Sequence, residues 1–203
     1  MNIYDAAHMA GGMTADFWNR DPRRLVFVLA RYKFVSRMLA GKKSVLEIGC
    51  ADGFGSRIVR QQVGELVAID IDGRSIQEAQ ERQSSVWPIC FMEADFTMER
   101  FVGFDACYAL DVIEHIQPDA ADAFVEAMRG AARIGILGCP SLESQPYASE
   151  LSKAGHVNCM TEDGLRELME RHWRHVFVFG MNDEMVHTGF GPLCHYRFAL
   201  GCS

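Results

Sequence analysis

Several carboxylates and histidines in this chain fall where they can handle a charged or hydroxylated ligand. Glu47 lies inside the run "VLEIGCADGFG", among apolar and small residues. Asp70 closes a second apolar run, "LVAID", and Asp95 and Phe96 follow a third. Asp111, Glu114 and His115 crowd the end of a fourth, "CYALDVIEHI". A carboxylate accepts hydrogen bonds from two ribose hydroxyls, or faces a cationic ligand without repelling it. Imidazole titrates near neutral pH, so His156 and His187 are candidates to take a proton from an oxygen nucleophile. Asp183 or Glu184 is a candidate to orient either imidazole.

These residues need elements to place them. Short apolar runs predict strands at Ser44–Ile48, Leu66–Asp70, Pro88–Met92, Ala106–Leu110 and Ile134–Leu137. Helical patterns fit between them at Gly53–Gln62, Arg74–Arg82 and Pro118–Ala132. Strands buried on both faces and separated by helices read as a parallel sheet. Upstream, Asp21 is a plausible N-cap, Pro22 suits the first helical position, and Gly41 ends the helix. Near the end, Thr161 caps a helix over "EDGLRELMERH", and "HVFVFGM" and "CHYRFALGC" form two strands with only a loop between them. The expected fold is α/β: a doubly wound, mostly parallel seven-stranded sheet with a reversed last strand and helices on both faces. Residues 1–43 read as an N-terminal helical cap on a domain over 44–203, a single domain overall.

Gly49 and Gly53 allow the backbone to pass close to a nucleotide, and Asp70 follows at a spacing suited to a ribose. NAD and S-adenosylmethionine enzymes share that pattern. Glu47 separates them, because a carboxylate there repels a pyrophosphate and tolerates an ammonium and a sulfonium. From Ser44 to Cys202 the chain resembles the class I (seven-stranded, Rossmann-like) S-adenosylmethionine-dependent methyltransferases, in their ubiquinone- and sugar-type small-molecule branch. "VLEIGCADG", "VAIDID", "EADF" and "LDVIEHI" match the family's successive motifs. The resemblance implies that Glu47 orients the methionine end and that Gly49, Cys50, Ala51 and Gly53 form the loop beneath it. Asp70 would hold the ribose with Ile71 beside the adenine, Asp95 and Phe96 would bind the adenine, and Leu110 and Asp111 would lie near the methionine end. Ala51 departs from the family pattern, which has glycine there.

Methyl transfer from a sulfonium mainly requires alignment of the nucleophile, and an oxygen nucleophile also benefits from a base. Two segments follow strand C-terminal ends: "GCPSLESQPYASELSKAGHVNCM", long enough for a lid, and "MNDEMVHTGFGPL". They carry Tyr147, His156 and Asn158, and Asn182, Asp183, Glu184 and His187. His156 is the first choice of general base and His187 the second. His115 reads as support for its motif. No residue set has firm metal-ligand spacing, so no metal is expected. Cys139 reads as a small buried residue.

The reading is an S-adenosylmethionine-dependent methyltransferase producing S-adenosylhomocysteine, acting on a small molecule or glycan precursor and directed at oxygen. Eight Lys and Arg between Arg20 and Lys43 face one acid, Asp21, in a chain of net charge −7. That segment suits a solvated helix face or an anionic acceptor. Alternatives are an RNA or protein methyltransferase and a non-catalytic S-adenosylmethionine-binding module. The acidic balance and "LDVI", in place of the D/N-P-P-Y/F string of amino-directed enzymes, argue against nucleic acid. No membrane-spanning or secretory segment is expected, and seven scattered cysteines suggest reduced thiols in a cytoplasm. The segment around Phe17 and Trp18 can close over the site or pack on another subunit, which leaves a homo-oligomer open.

Overall fold

The computed structural model describes residues 10–189 and 191–203. The first nine residues of the expected N-terminal cap, and Phe190 in the second acceptor-side segment, lie outside the described residues. The chain forms two compact units, one ending at Phe96 and one running from Thr97 to Ser203.

The first unit contains α1 (Gly12–Arg20), α2 (Pro22–Met38), β1 (Ser44–Ile48), α3 (Ser56–Arg60), β2 (Glu65–Asp70), α4 (Gly73–Glu81) and β3 (Cys90–Glu93). Its strands lie in the order β3-β2-β1 and are all parallel, with Leu46 opposite Val67 and Val67 opposite Cys90. Val45, Leu46, Ile48, Leu66, Ala68 and Ile69 are buried, as expected of strands without a wet face. Pro22 occupies the first turn of α2, but Asp21 makes no side-chain cap; its carboxylate lies 3.8 Å from Arg23 instead.

Helix α1 was not expected. It lacks a side-chain cap of its own, and its first-turn amides are satisfied from far along the chain. The Gly12 amide donates to Glu78 Oε2 at 2.7 Å, and the Thr14 amide to Asp52 Oδ2 at 2.8 Å. The Thr14 hydroxyl adds a bond to Asp52 Oδ1 at 3.0 Å. No local pattern announces partners so distant.

The second unit contains β4 (Phe104–Leu110), α5 (Ala121–Ala131), β5 (Ala132–Pro140), α6 (Glu150–Gly155), α7 (Glu162–Glu170), β6 (His175–Asn182), β7 (Met185–His187) and β8 (Tyr196–Cys202). Its strands lie in the order β4-β5-β8-β6-β7. β4 and β5 are parallel, and β8 runs antiparallel to both β5 and β6, so the last strand is reversed as expected. The described residues hold eight strands where seven were expected. The extra one is β7, read from sequence as loop. Asp183, at φ 50°, turns the chain so that Asn182 pairs with Met185.

The long segment after β5 is not open loop either. Ser141 caps a 3-10 turn over Leu142–Tyr147, and Ser149 caps α6. An ion pair from a buried guanidinium fixes that turn: Arg197 of β8 holds the half-buried Glu143 through two bonds, at 2.7 and 3.1 Å, and donates to the Gly191 carbonyl at 2.9 Å. Among the described residues, no helix is long and apolar enough to cross a membrane.

Candidate active site

In the first unit, β1 ends in a turn that runs through the left-handed region three times. Gly49 has φ 77°, Ala51 φ 48° and Gly53 φ 68°. Gly53 is required by space as well, because a Cβ there would come within 2.5 Å of the Phe91 ring. Ala51 carries a side chain in a conformation that favours glycine, and its amide is held at 2.7 Å by Asp70 Oδ2. The other Asp70 oxygen accepts from the Asp72 amide at 2.9 Å. Each oxygen therefore keeps one acceptor direction after bracing the turns that follow β1 and β2.

Glu47 is buried in β1. Burial and the Glu47 charge both push the Cys50 thiol far above its ordinary range, so Cys50 serves as a neutral packing group. Ile71 is 69% exposed, an apolar surface at the edge of the turn after β2. Asp95 is half-buried and Phe96 is buried, just after β3.

In the second unit, Leu110 is buried and Asp111 stands at φ 56°, its amide donating to the Gly138 carbonyl at 3.0 Å. Downstream, two segments distant in sequence are laced together. The Val157 and Asn158 amides donate to the Glu114 carbonyl at 2.8 and 3.1 Å, and the Asn158 side chain donates to the Ile113 carbonyl at 3.3 Å. The result is a compact group of Glu114, His115 and His156, whose ligand-capable atoms lie within 4.8 Å of one another. The two rings meet edge to face with centroids 5.2 Å apart.

The hydrogen bonds set the tautomers. His115 Nδ1 is 2.9 Å from the Gly155 carbonyl, which can only accept. His156 Nδ1 is 3.0 Å from Gln145 Oε1. In its neutral form each ring therefore carries its proton on Nδ1 and its lone pair on Nε2. His187 differs. Its Nδ1 accepts from the Gly189 amide at 3.0 Å and its Nε2 donates to Asn182 Oδ1 at 2.7 Å, so both nitrogens are engaged within its own hairpin. Asp183 is exposed, and its amide donates to His195 Nε2. The structure does not pair Asp183 with either candidate imidazole. Cys139 is fully buried; burial and the Glu114 charge push its thiol well up, which removes it as a nucleophile.

Glu114 and Gln145 were absent from the expected site. The signal for Glu114 was present, three residues after Asp111 in a polar cluster, but its reach to His156 depends on tertiary contact. Asp52 was missed because it reads as one more acid in a turn.

A methyltransferase-domain family profile matches residues 45–135. The chain is an S-adenosylmethionine-dependent methyltransferase. It is similar to an uncharacterized methyltransferase of Mycobacterium tuberculosis, at 24% identity over 141 residues, 66% of this chain and 67% of that one. Its α/β Rossmann-like fold is similar to that of magnesium protoporphyrin IX methyltransferase from Synechocystis with bound S-adenosylhomocysteine, at TM-score 0.70 and 18% identity over 99% of this chain and 98% of that one. The small RNA methyltransferase HEN1 is similar at TM-score 0.71 and 13% identity, over 87% of this chain and 26% of that one.

The cofactor of the methyltransferase is S-adenosylmethionine, and the first unit fits it. Its features are a buried carboxylate in β1, a tight positive-φ turn, a carboxylate at the end of β2 with acceptor directions left, and an exposed apolar side chain beside it.

Proposed function

We propose that this methyltransferase transfers a methyl group to a hydroxyl of a small molecule or glycan precursor. Glu47 steadies the cationic methionine end of the donor. Gly49, Cys50, Ala51 and Gly53 supply the backbone turn beneath it. Asp70 accepts from the ribose hydroxyls, Ile71 covers one face of the adenine, and Asp95 and Phe96 hold the base and its amino group. Leu110 and Asp111 belong to the methionine end. When bound, S-adenosylmethionine supplies an electrophilic methyl whose C–S electrons leave with sulfur.

The chain's remaining task is to present an oxygen lone pair in line and remove its proton. His156 is the residue for that task, and the observation that carries this reading is its tautomer: Nδ1 is committed to Gln145 and the lone pair is on Nε2. His187, with both nitrogens engaged, reads as a brace of the β6–β7 hairpin, and Asp183 as its turn residue. Clusters of this kind suit hydroxyl chemistry better than methylation of an amine, which already carries its nucleophilic pair.

A second reading, methylation of RNA, draws on the basic α2 segment and on the name of one structural neighbour, a small RNA methyltransferase. Labelled methyl transfer from S-adenosylmethionine into an extract fractionated into small molecules, glycans, RNA and protein separates the two. The expected result is label in the small-molecule or glycan fraction, reduced at least about 100-fold by His156→Ala. Label in RNA would favour the second reading. Cofactor binding without label anywhere would point to a binding module.

A further inference from the structure

We propose that Glu114, His115 and His156 form a binding site for a divalent first-row cation. The three ligand-capable atoms already converge within 4.8 Å, from a buried carboxylate, an exposed imidazole and a half-buried imidazole. A bound cation at ordinary bond lengths of about 2.0–2.2 Å would draw them closer by roughly 1 Å, within the reach of side-chain rotation.

The outer contacts are those of a built site. Histidines that bind metals donate their second ring nitrogen to a carbonyl or carboxylate, which fixes the tautomer and turns the lone pair toward the ion. Both histidines do this here, His115 to the Gly155 carbonyl at 2.9 Å and His156 to the Gln145 side-chain oxygen at 3.0 Å. The scaffold beneath them is fixed by the backbone bonds from Val157 and Asn158 to the Glu114 carbonyl. A histidine pair held only for packing would not need both Nδ1 atoms bonded to carbonyl oxygens and a buried carboxylate within the same 4.8 Å group.

Two imidazoles and one carboxylate favour a borderline cation such as Zn2+, Mn2+, Fe2+ or Co2+ over Mg2+ or Ca2+, which prefer oxygen throughout. Three protein ligands leave coordination positions open, and His115 is exposed, so the open side reaches solvent. Resting on the hydroxyl-acceptor reading above, the cation would lower the pKa of an acceptor oxygen bound at an open position. With the cation bound, His156 serves as a ligand in place of the general base given to it above, and the acidified hydroxyl loses its proton to solvent.

The test uses Co2+ alone, added to the chelator-stripped full chain and followed by visible absorption. One equivalent should bind with a ligand-field spectrum of nitrogen and oxygen ligands and no thiolate charge-transfer band. His115→Ala should weaken binding at least about tenfold. Glu114→Gln should do the same if it folds; His115, at the surface, carries the test if it does not. His175→Ala, an exposed histidine outside the group, should change nothing. No binding, a thiolate band, or undiminished binding by His115→Ala would overturn the site. Methyl transfer unaffected by a chelator would overturn the cation's part in the reaction while leaving the Co2+ spectrum intact. Absence of transfer to any hydroxyl would overturn the acceptor reading without touching the spectrum.

Discussion

Ala51 shows how a single side chain can work against its own backbone. At φ 48° a Cβ costs about 1–2 kcal/mol relative to the right-handed region. The turn persists because its amide is anchored on Asp70 and the glycines on either side permit it. Ala51→Gly should therefore raise stability by about 0.5–1 kcal/mol, the relief of strain exceeding the extra freedom of the unfolded chain. Urea denaturation checks this; a loss of stability would mean that the methyl makes a packing contribution larger than the strain. The same turn explains the value of Asp70, whose two oxygens brace the turns after β1 and β2.

Two elements are held in place by carboxylate contacts with residues distant in sequence rather than by their own sequence. Helix α1 depends on Asp52 and Glu78 to satisfy its first amides. Asp52→Ala would leave the Thr14 amide and hydroxyl without that acceptor, at a cost of about 1–3 kcal/mol. The α1 amides should then exchange with deuterium faster than in the parent chain, with β1 and β2 little changed; equal acceleration everywhere would show that Asp52 supports the whole unit. In the second unit, Arg197 holds Glu143 and lowers its carboxyl pKa below the usual carboxylate range, chiefly by the hydrogen bond itself. A depressed folded pKa contributes stability that is fully present above the unfolded value, near 4.5, and is lost as pH falls through the folded value. Stability of the parent chain should decline below about pH 4.5 more steeply than that of Glu143→Gln. At neutral pH that variant should be less stable by about 1 kcal/mol, a partly exposed partner being screened by solvent while Arg197 keeps its carbonyl acceptors. Matching acid profiles for the two proteins would contradict this pairing.

For the molecule as a whole, the sequence was most legible where function and fold share short motifs. β1, β2 and β4 follow from apolar runs ending in Glu47, Asp70 and Asp111 neighbourhoods, because each strand is buried by its own residues. The reversed last strand was readable from the missing crossover between "HVFVFGM" and "CHYRFALGC". What escaped was whatever depends on distant partners: α1 on Asp52, the 3-10 turn on Arg197, and His156 beside Glu114 and His115. β7 escaped for a local reason, an Asp at positive φ where a glycine would have announced the turn. The basic segment from Arg20 to Lys43 stands out within a chain of net charge −7. Its basic side chains are mostly exposed, and Arg20 and Arg23 lie against Asp16 and Asp21.

The most direct measurement is calorimetric titration of S-adenosylhomocysteine into the parent chain and Asp70→Asn, with NADH as a comparison ligand. One site is expected in the parent, weakened by about 10–100-fold in the variant through loss of a charged acceptor to the ribose, with no heat from NADH. Undiminished binding by Asp70→Asn, or preference for NADH, would contradict the donor site assigned to the first unit.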